Sequence, residues 1–350
     1  MSAPTRPCDD HTPTAAAATT AGPRGAAAAI AAGPAAAYSG QARGGADDYA
    51  AYYAGMDKSM QQKVALTTAY FPAHGCLADM GCGSGKGSFD LACLHGGLRV
   101  IGIDVAAESV AYAQAQYQRD NLAYRVGDIA EPLFPPGSLD GALNSSVWHH
   151  LTSFNGFSLR EVERALHSQT AALRPGGVLI VRDFVVPRGP TEVLLDLPDG
   201  DGTGASAGDV TAAPATALST AALFERFAAG FRSSQNPGAP VPFGRQPDSG
   251  PSWRRYRVGL RHAAEFLLRK DYREHWEAEL REEYLFFSQA EYEAALRRHD
   301  LRVVLSVETH APVDERRGRV PPRRQRRLWM QRRCWGTRAA RIHAARRPAA

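Results

Sequence analysis

Cysteine is scarce and scattered in this sequence: Cys8, Cys76, Cys82, Cys93 and Cys334, with no Cys-x-x-Cys pair and no Cys-x-x-x-His. An odd set of this kind suggests neither a disulfide framework nor a zinc site, and a reducing cytoplasm is its natural setting. Long apolar runs are missing as well. The longest strongly apolar stretch, a few residues around Val178-Leu179-Ile180-Val181, falls far short of the roughly 20 residues that cross a bilayer, which argues against an integral helical membrane protein. Acidic residues are missing from one window, since the stretch from Arg316 to Arg347 holds 13 Arg and no Asp or Glu. Taken from the 41 basic residues, those 13 leave 28 against 36 acidic. The formal charge of +5 therefore belongs to the C-terminal stretch, and the rest of the chain is acidic. That balance argues against nucleic-acid binding by the folded part and leaves it only to the Arg-rich end.

What is present suffices for one or two ordinary globular domains: 350 residues, 44% hydrophobic and 22% charged. Residues 1–46 stand apart, with 17 Ala beside Pro, Gly and Thr and little beyond Ile30 and Tyr38 to build a core. They read as a disordered leader. The basic start and continuous apolar run of a secretory signal are absent, whereas an organelle transit peptide stays open on composition, although Asp9 and Asp10 and the low Arg and Ser content weigh against it.

From residue 47 the texture changes. Met60, Val64, Thr67 and Phe71 recur at helical spacing up to Pro72. Strands are predicted over 76–80, 98–103, 123–126, 139–143 and 178–184, with helices over 88–94, 108–118 and 159–173. Ser158-x-x-Glu161 reads as a capping box, and Pro175-Gly176-Gly177 as the stop. Strand and helix alternating in this way predict an α/β fold with a doubly wound, mostly parallel sheet over 47–186. Residues 187–284 read as a helical insertion after the fifth strand, a cap for the substrate. One helix there carries Leu223, Phe224, Phe227, Ala228 and Phe231 on a single stripe, a second carries Trp253, Tyr256, Leu260, Ala264 and Leu267, and a third covers 271–283. Arg254, Arg255, Arg257 and Arg261 are then a solvated helix face, with an anionic substrate patch as the minority reading. Residues 285–310 supply a last helix, opened by Ser288-x-x-Glu291, and a strand over 301–307. Residues 311–350 have no periodicity and read as an Arg-rich disordered tail.

The sharpest local signal is Ala78-Asp79-Met80-Gly81-Cys82-Gly83-Ser84-Gly85, where the first strand should turn into a helix. Alternate glycines allow a tight turn and close approach of backbone to a ligand, while the helix aims its first amides at it. A dinucleotide fingerprint needs Gly three residues after Gly83, where Lys86 stands. A phosphate loop needs Ser or Thr after Gly85-Lys86, where Gly87 stands.

The remaining pattern, D-x-G-x-G-x-G, resembles the first motif of the class I S-adenosylmethionine-dependent methyltransferases. Ile101-Gly102-Ile103-Asp104, Gly127-Asp128-Ile129, the run 140–146 and Leu173-Arg174-Pro175-Gly176-Gly177 are similar to the family's later motifs, in the right order. The resemblance implies a Rossmann-like methyltransferase fold and S-adenosylmethionine as cofactor. Asp79, Gly81, Cys82, Gly83 and Gly85 would form its loop, Asp104 and Val105 would serve the ribose, Asp128 and Ile129 the adenine, and Asn144 and Ser145 the neighbouring wall. It also implies a final antiparallel strand beside the one over 301–307, for which the sequence after His310 offers no candidate. His149 and His150 are the catalytic candidates, the alternative being that one orders the loop and the other packs; Asp183 and His262 are further proton acceptors. Asp104 can equally be a helix cap and Asp128 a turn acid. The amino-methylating motif, Asn or Asp followed by two prolines and an aromatic, is replaced by Asn144-Ser145-Ser146-Val147, which favours a small-molecule acceptor. Two other readings remain: a nucleic-acid-associated protein acting through its Arg tail, and a module that binds the cofactor without turnover.

Overall fold

Alternating apolar runs and helical patterns resolve into a parallel sheet through the first half of the chain. The computed structural model describes residues 53, 57, 60–203, 213–232, 240–309 and 340–348. The leader expected over 1–46 and the stretch 310–339 lie outside the described residues. Helix α1 (Met60–Thr67) precedes β1 (Gly75–Met80), α2 (Lys86–Leu94), β2 (Leu98–Asp104), α3 (Ala107–Gln116) and β3 (Leu122–Val126). Then come β4 (Leu139–Ser145), α4 (Trp148–Ser153), α5 (Arg160–Ala172) and β5 (Leu173–Phe184). These five strands pair in parallel in the order β3-β2-β1-β4-β5.

Both faces of this sheet are covered, so its central strands are apolar on both sides. Ala78, Met80, Ile103, Leu179 and Val181 join one buried cluster with Trp148 and Leu166, whereas Leu77, Leu98, Val100, Leu143 and Ile180 join another with Val64 and Leu91. Each Leu or Ile so buried contributes roughly 1.5–3 kcal/mol relative to exposure.

The insertion corrects the reading made from spacing. It is a mixed unit: β6 (Glu192–Pro198), α6 (Thr220–Gly230), β7 (Phe243–Gly250), β8 (Trp253–Gly259), α7 (Leu260–Arg269) and α8 (Trp276–Glu279). Its strands form a separate antiparallel sheet, β6-β8-β7. The helix expected from residue 253 starts only at Leu260. Tyr256 and Val258 are buried while Arg257 between them is exposed, which is strand alternation. Tyr256 fits a period of two and of 3.6 alike, and that ambiguity misled the helical reading. Arg254 and Arg255 are accordingly strand residues in ion pairs: Arg255 forks onto Asp196 with contacts of 2.7 and 2.9 Å, and Arg254 meets Asp199 at 2.8 Å. The stripe of α6 is buried as expected, around Phe224 and Phe227, and Ser219 caps its start. The helix expected over 271–283 is reduced to a 3-10 turn and α8. Ser158 makes no capping box. Its hydroxyl accepts from Arg160 N, while Leu159 holds the cap position of α5.

After the insertion, α9 (Gln289–Arg298), opened by a complete capping box from Ser288 and Glu291, leads to β9 (Arg302–Thr309). The second correction lies beyond it. Residues 340–346, expected to be disordered, form β10 (Ala340–Arg346), antiparallel to both β5 and β9 and lying between them. Ala340 stands opposite Phe184 on one side and Thr309 on the other. Arg341-Ile342-His343-Ala344 alternates for only four residues before the register shifts at Ala344/Ala345. Arg347 belongs to the fold as well: its guanidinium donates to the carbonyls of Thr170, Ala171 and Leu173, satisfying acceptors left open at the end of α5. No helix among the described residues is long and apolar enough to cross a membrane.

Candidate cofactor and acceptor site

The carboxyl ends of β1, β2 and β4 converge on one edge of the sheet. After β1 the backbone is left-handed at Gly81, Gly83 and Gly85, with φ of 77°, 55° and 82°, conformations that cost L side chains energy. Space is closed too. A Cβ on Gly81 would stand 2.5 Å from Val147 Cγ2, and one on Gly85 would stand 2.5 Å from Ala113 Cβ. The amides of Gly81 and Cys82 both donate to Ile103 O at 2.8 Å, tying the loop to the end of β2.

Asp104 completes that tie. Its Oδ2 accepts Gly83 N at 2.8 Å and its Oδ1 accepts Ala106 N at 3.0 Å, so it anchors the loop and closes the turn into α3 at once. Burial pushes its carboxyl up from the ordinary range, opposed by amide donors from Ala106, Gly83 and Val105. Those donors occupy three of the roughly four lone-pair sites of a carboxylate, so about one acceptor position remains for a ribose hydroxyl. Val105 beside it is half-buried. Asp79 lies beneath the loop, buried, and accepts Ser88 Oγ at 2.6 Å. Burial, and after it Asp104 and Asp79, pushes the Cys82 thiol well up, which keeps it a neutral packing group rather than a nucleophile.

Asp128 lies at the end of β3, where Gly127 N donates to Asp104 O at 2.9 Å. The Asp128 carboxylate accepts Ala130 N at 2.9 Å, an Asx turn that sets buried Ile129 in place. Asn144 goes elsewhere. Its amide exchanges hydrogen bonds with that of Gln169, at 2.8 and 3.2 Å, and is 1% exposed. Only its backbone can face a ligand. Ser145 follows with its Oγ buried and without a hydrogen-bond partner, which makes it the better polar candidate at this strand end.

His149 and His150 open α4 on the same edge, just after the Val147 that fills the space over Gly81. Asp183, at the end of β5, caps this short helix by accepting Trp148 N and His149 N at 2.9 and 3.2 Å. Its other oxygen meets His149 Nδ1 at 2.8 Å. Burial by itself would lower the His149 pKa, but Asp183, Glu282 and Glu265 carry it above the ordinary value. Asp183, expected among the proton acceptors, is thus occupied in positioning α4 and His149. His262 is half-buried on α7, lies 6.3 Å from the Phe231 ring, and has its pKa lowered by burial.

Two contributors escaped sequence reasoning. Asp57 takes Ser84 Oγ on one oxygen and the Tyr117 hydroxyl on the other, both at 2.7 Å, tying the glycine loop to the end of α3. Its only sequence signal is helical spacing from Met60. The insertion also reaches this edge: Glu283 N donates to Ser153 Oγ at 2.8 Å, and buried Glu265 accepts Tyr284 N and Leu285 N.

Comparison with known proteins places this geometry. Residues 78–181 match the family model described as a methyltransferase domain. This segment is a methyltransferase domain. The methyltransferase segment is 31% identical over 110 residues to an uncharacterized protein of Synechococcus sp., covering 29% of this chain and 24% of that protein. It is 29% identical over 112 residues to the O-methyltransferase resE of Aspergillus sclerotiorum, covering 31% of this chain and 39% of that one. The chain thus matches well under half the length of either relative. A solved complex from Haloferax volcanii, between the Trm112 methyltransferase activator and a methyltransferase, aligns at 16% identity and a TM-score of 0.47, over 86% of this chain and 97% of that one.

Proposed function

We propose that the protein transfers the methyl group of S-adenosylmethionine to a small-molecule acceptor. The observation that carries this reading is Asp104 holding Gly83 N, with an acceptor position left open, beside a loop of three left-handed glycines. That cradle fits the cofactor: Gly81, Cys82, Gly83 and Gly85 would pass backbone along its amino-acid part, with Asp79 ordering the loop from below. Asp104 and Val105 would take the ribose, Asp128 and Ile129 the adenine, and Ser145 the remaining wall, with Asn144 contributing backbone only.

The cofactor supplies a sulfonium-activated methyl group when bound. What the chain contributes is alignment of an acceptor with that group and exclusion of water from it. The insertion meets α4 where Glu283 N donates to Ser153 Oγ, so it is the natural acceptor wall. His149 and His150, on that wall, are the polar groups proposed to meet the acceptor. Asp183 fixes the first by its Nδ1 and leaves Nε2 to face the site. A cytoplasmic setting suits the buried, reduced Cys76 and Cys82.

Calorimetric titration with S-adenosylmethionine and S-adenosylhomocysteine tests the reading. Saturable binding of both is expected. Folded protein that binds neither at millimolar concentration, yet binds NAD or ATP, overturns it.

A further inference from the structure

The ligating atoms of His149, His150 and Glu282 lie within 4.8 Å of one another. No spacing in the sequence announces them, because the carboxylate comes from the insertion, far along the chain from the two imidazoles. Three features make the group more than a chance cluster. His149 and Glu282 are buried, each 3% exposed, so the donors converge away from bulk water. His149 is oriented from behind, its Nδ1 held by Asp183 at 2.8 Å, which leaves Nε2 as the ligating atom. A carboxylate behind a ligating histidine is the usual support of such a ligand, because it fixes the tautomer and raises the basicity of the other nitrogen. The seam is also rich in buried acid: Asp183, Glu265, Glu279, Glu282 and Glu283, against the guanidinium groups of Arg269, which pairs with Glu265, and of Arg232 and Arg261, which pair with Glu283.

We propose that His149, His150 and Glu282 bind one divalent transition-metal ion of the zinc class at the seam between the methyltransferase core and the insertion. Two imidazoles and one carboxylate form a borderline donor set that suits Zn2+, Co2+ or Fe2+ and disfavours Mg2+ and Ca2+, which take oxygen ligands. Bonds of about 2.0–2.2 Å put tetrahedral donors ~3.3 Å apart, so separations of up to 4.8 Å need shrink by at most about 1.5 Å. His150 is half-buried and marks the side of entry. The fourth position stays open to water or to an oxygen or nitrogen of a small molecule. Glu282 belongs to the insertion and the histidines to α4, so the ion also clasps the two parts together. The inference shares His149 and His150 with the methyl-transfer reading, since a bound ion would meet the acceptor in place of their nitrogens, but it does not depend on cofactor binding: a chain that binds no S-adenosylmethionine would still fill this site.

The test uses the full chain, stripped with chelator and titrated with Co2+ and then Zn2+. One equivalent of Co2+ should bind with visible absorption of a low-symmetry centre, Zn2+ should displace it, and the thermal midpoint should rise and return on chelation. Glu282→Gln and His150→Gln should each weaken binding at least 10-fold, and Asp183→Asn, behind the ligand, about 10- to 100-fold. X-ray absorption of the zinc-loaded wild type needs no variant: its shell should hold nitrogen and oxygen only, with imidazole scattering. A sulfur scatterer at ~2.3 Å, binding unchanged in folded variants, or no stoichiometric binding overturns the proposal. Cofactor titration of the same samples keeps the two readings separable.

Discussion

On one flank of the sheet, β1, β2 and β3 lie side by side, each neighbour one helix further along the chain. On the other flank β5 and β9 are neighbours only through β10, a strand that follows an Arg-rich stretch. The first flank is local in sequence and carries its chemistry in consecutive motifs. The second depends on a segment with four alternating residues and a register shift. A strand that fills a slot between two others takes its stability from the slot, so its own side chains need say little.

The contrast breaks first if the second flank is dispensable. A chain ending at residue 310 should lose β10, open one edge of β5 and leave β9 without a partner, and fail to give soluble, cooperatively unfolding protein. This reverses the expectation, natural from composition, that a 47–310 fragment keeps cofactor affinity. The complementary variant sharpens it. Because Ala340 stands opposite Thr309, replacing 310–339 by a short glycine-containing turn should retain the fold and cofactor binding, read by thermal unfolding and calorimetry.

On the first flank Gly81→Ala comes next in size. A left-handed φ and a Cβ 2.5 Å from Val147 Cγ2 should cost about 1–3 kcal/mol of stability and disrupt the loop. Adding Val147→Ala should recover the steric part of the loss in urea unfolding. Asp104→Ala should weaken S-adenosylhomocysteine binding roughly 10- to 150-fold, the worth of about 1.5–3 kcal/mol for hydrogen bonds to a charged acceptor. Since Gly83 N and Ala106 N lose their acceptor too, the fold should be slightly softened as well. An unchanged dissociation constant would make Asp104 a turn residue only.

The smallest effect expected is in pH. Burial raises the Asp104 carboxyl, so its protonation begins above the roughly 3.9 of a free aspartate. Cofactor affinity should therefore fall on acidification from a higher pH than an ordinary aspartate would give, and Asp104→Ala should lack that part of the profile. For stability the sign is opposite to that of a salt-bridged acid. A raised carboxyl pKa means that its ionised form costs folding energy at neutral pH, a cost relieved as pH falls through the folded pKa. A titration that loses affinity only near the ordinary aspartate range would contradict the burial argument.

The glycine loop, Asp104 and the five parallel strands were legible because each is written in contiguous residues with one period. The insertion's β8 was not, since Tyr256 serves a strand and a helix equally well. The pairing of the Asn144 side chain was not legible because its partner, Gln169, sits on α5 and nothing local announces the amide pair. Asp57 and Glu282 were invisible for the same reason: each acts across the fold on residues distant in sequence. The Arg-rich composition hid both β10 and Arg347, whose role lies in the backbone they meet.

The placement of β10 has a consequence for synthesis. While the chain emerges from the ribosome, β1 to β5 can assemble as their helices appear, but the edge of β5 stays open until residues 340–346 arrive. Throughout that interval the nascent protein presents a bare strand edge, so its translation rate across the Arg codons, and any chaperone that shields the edge, should govern how much of it reaches the native state.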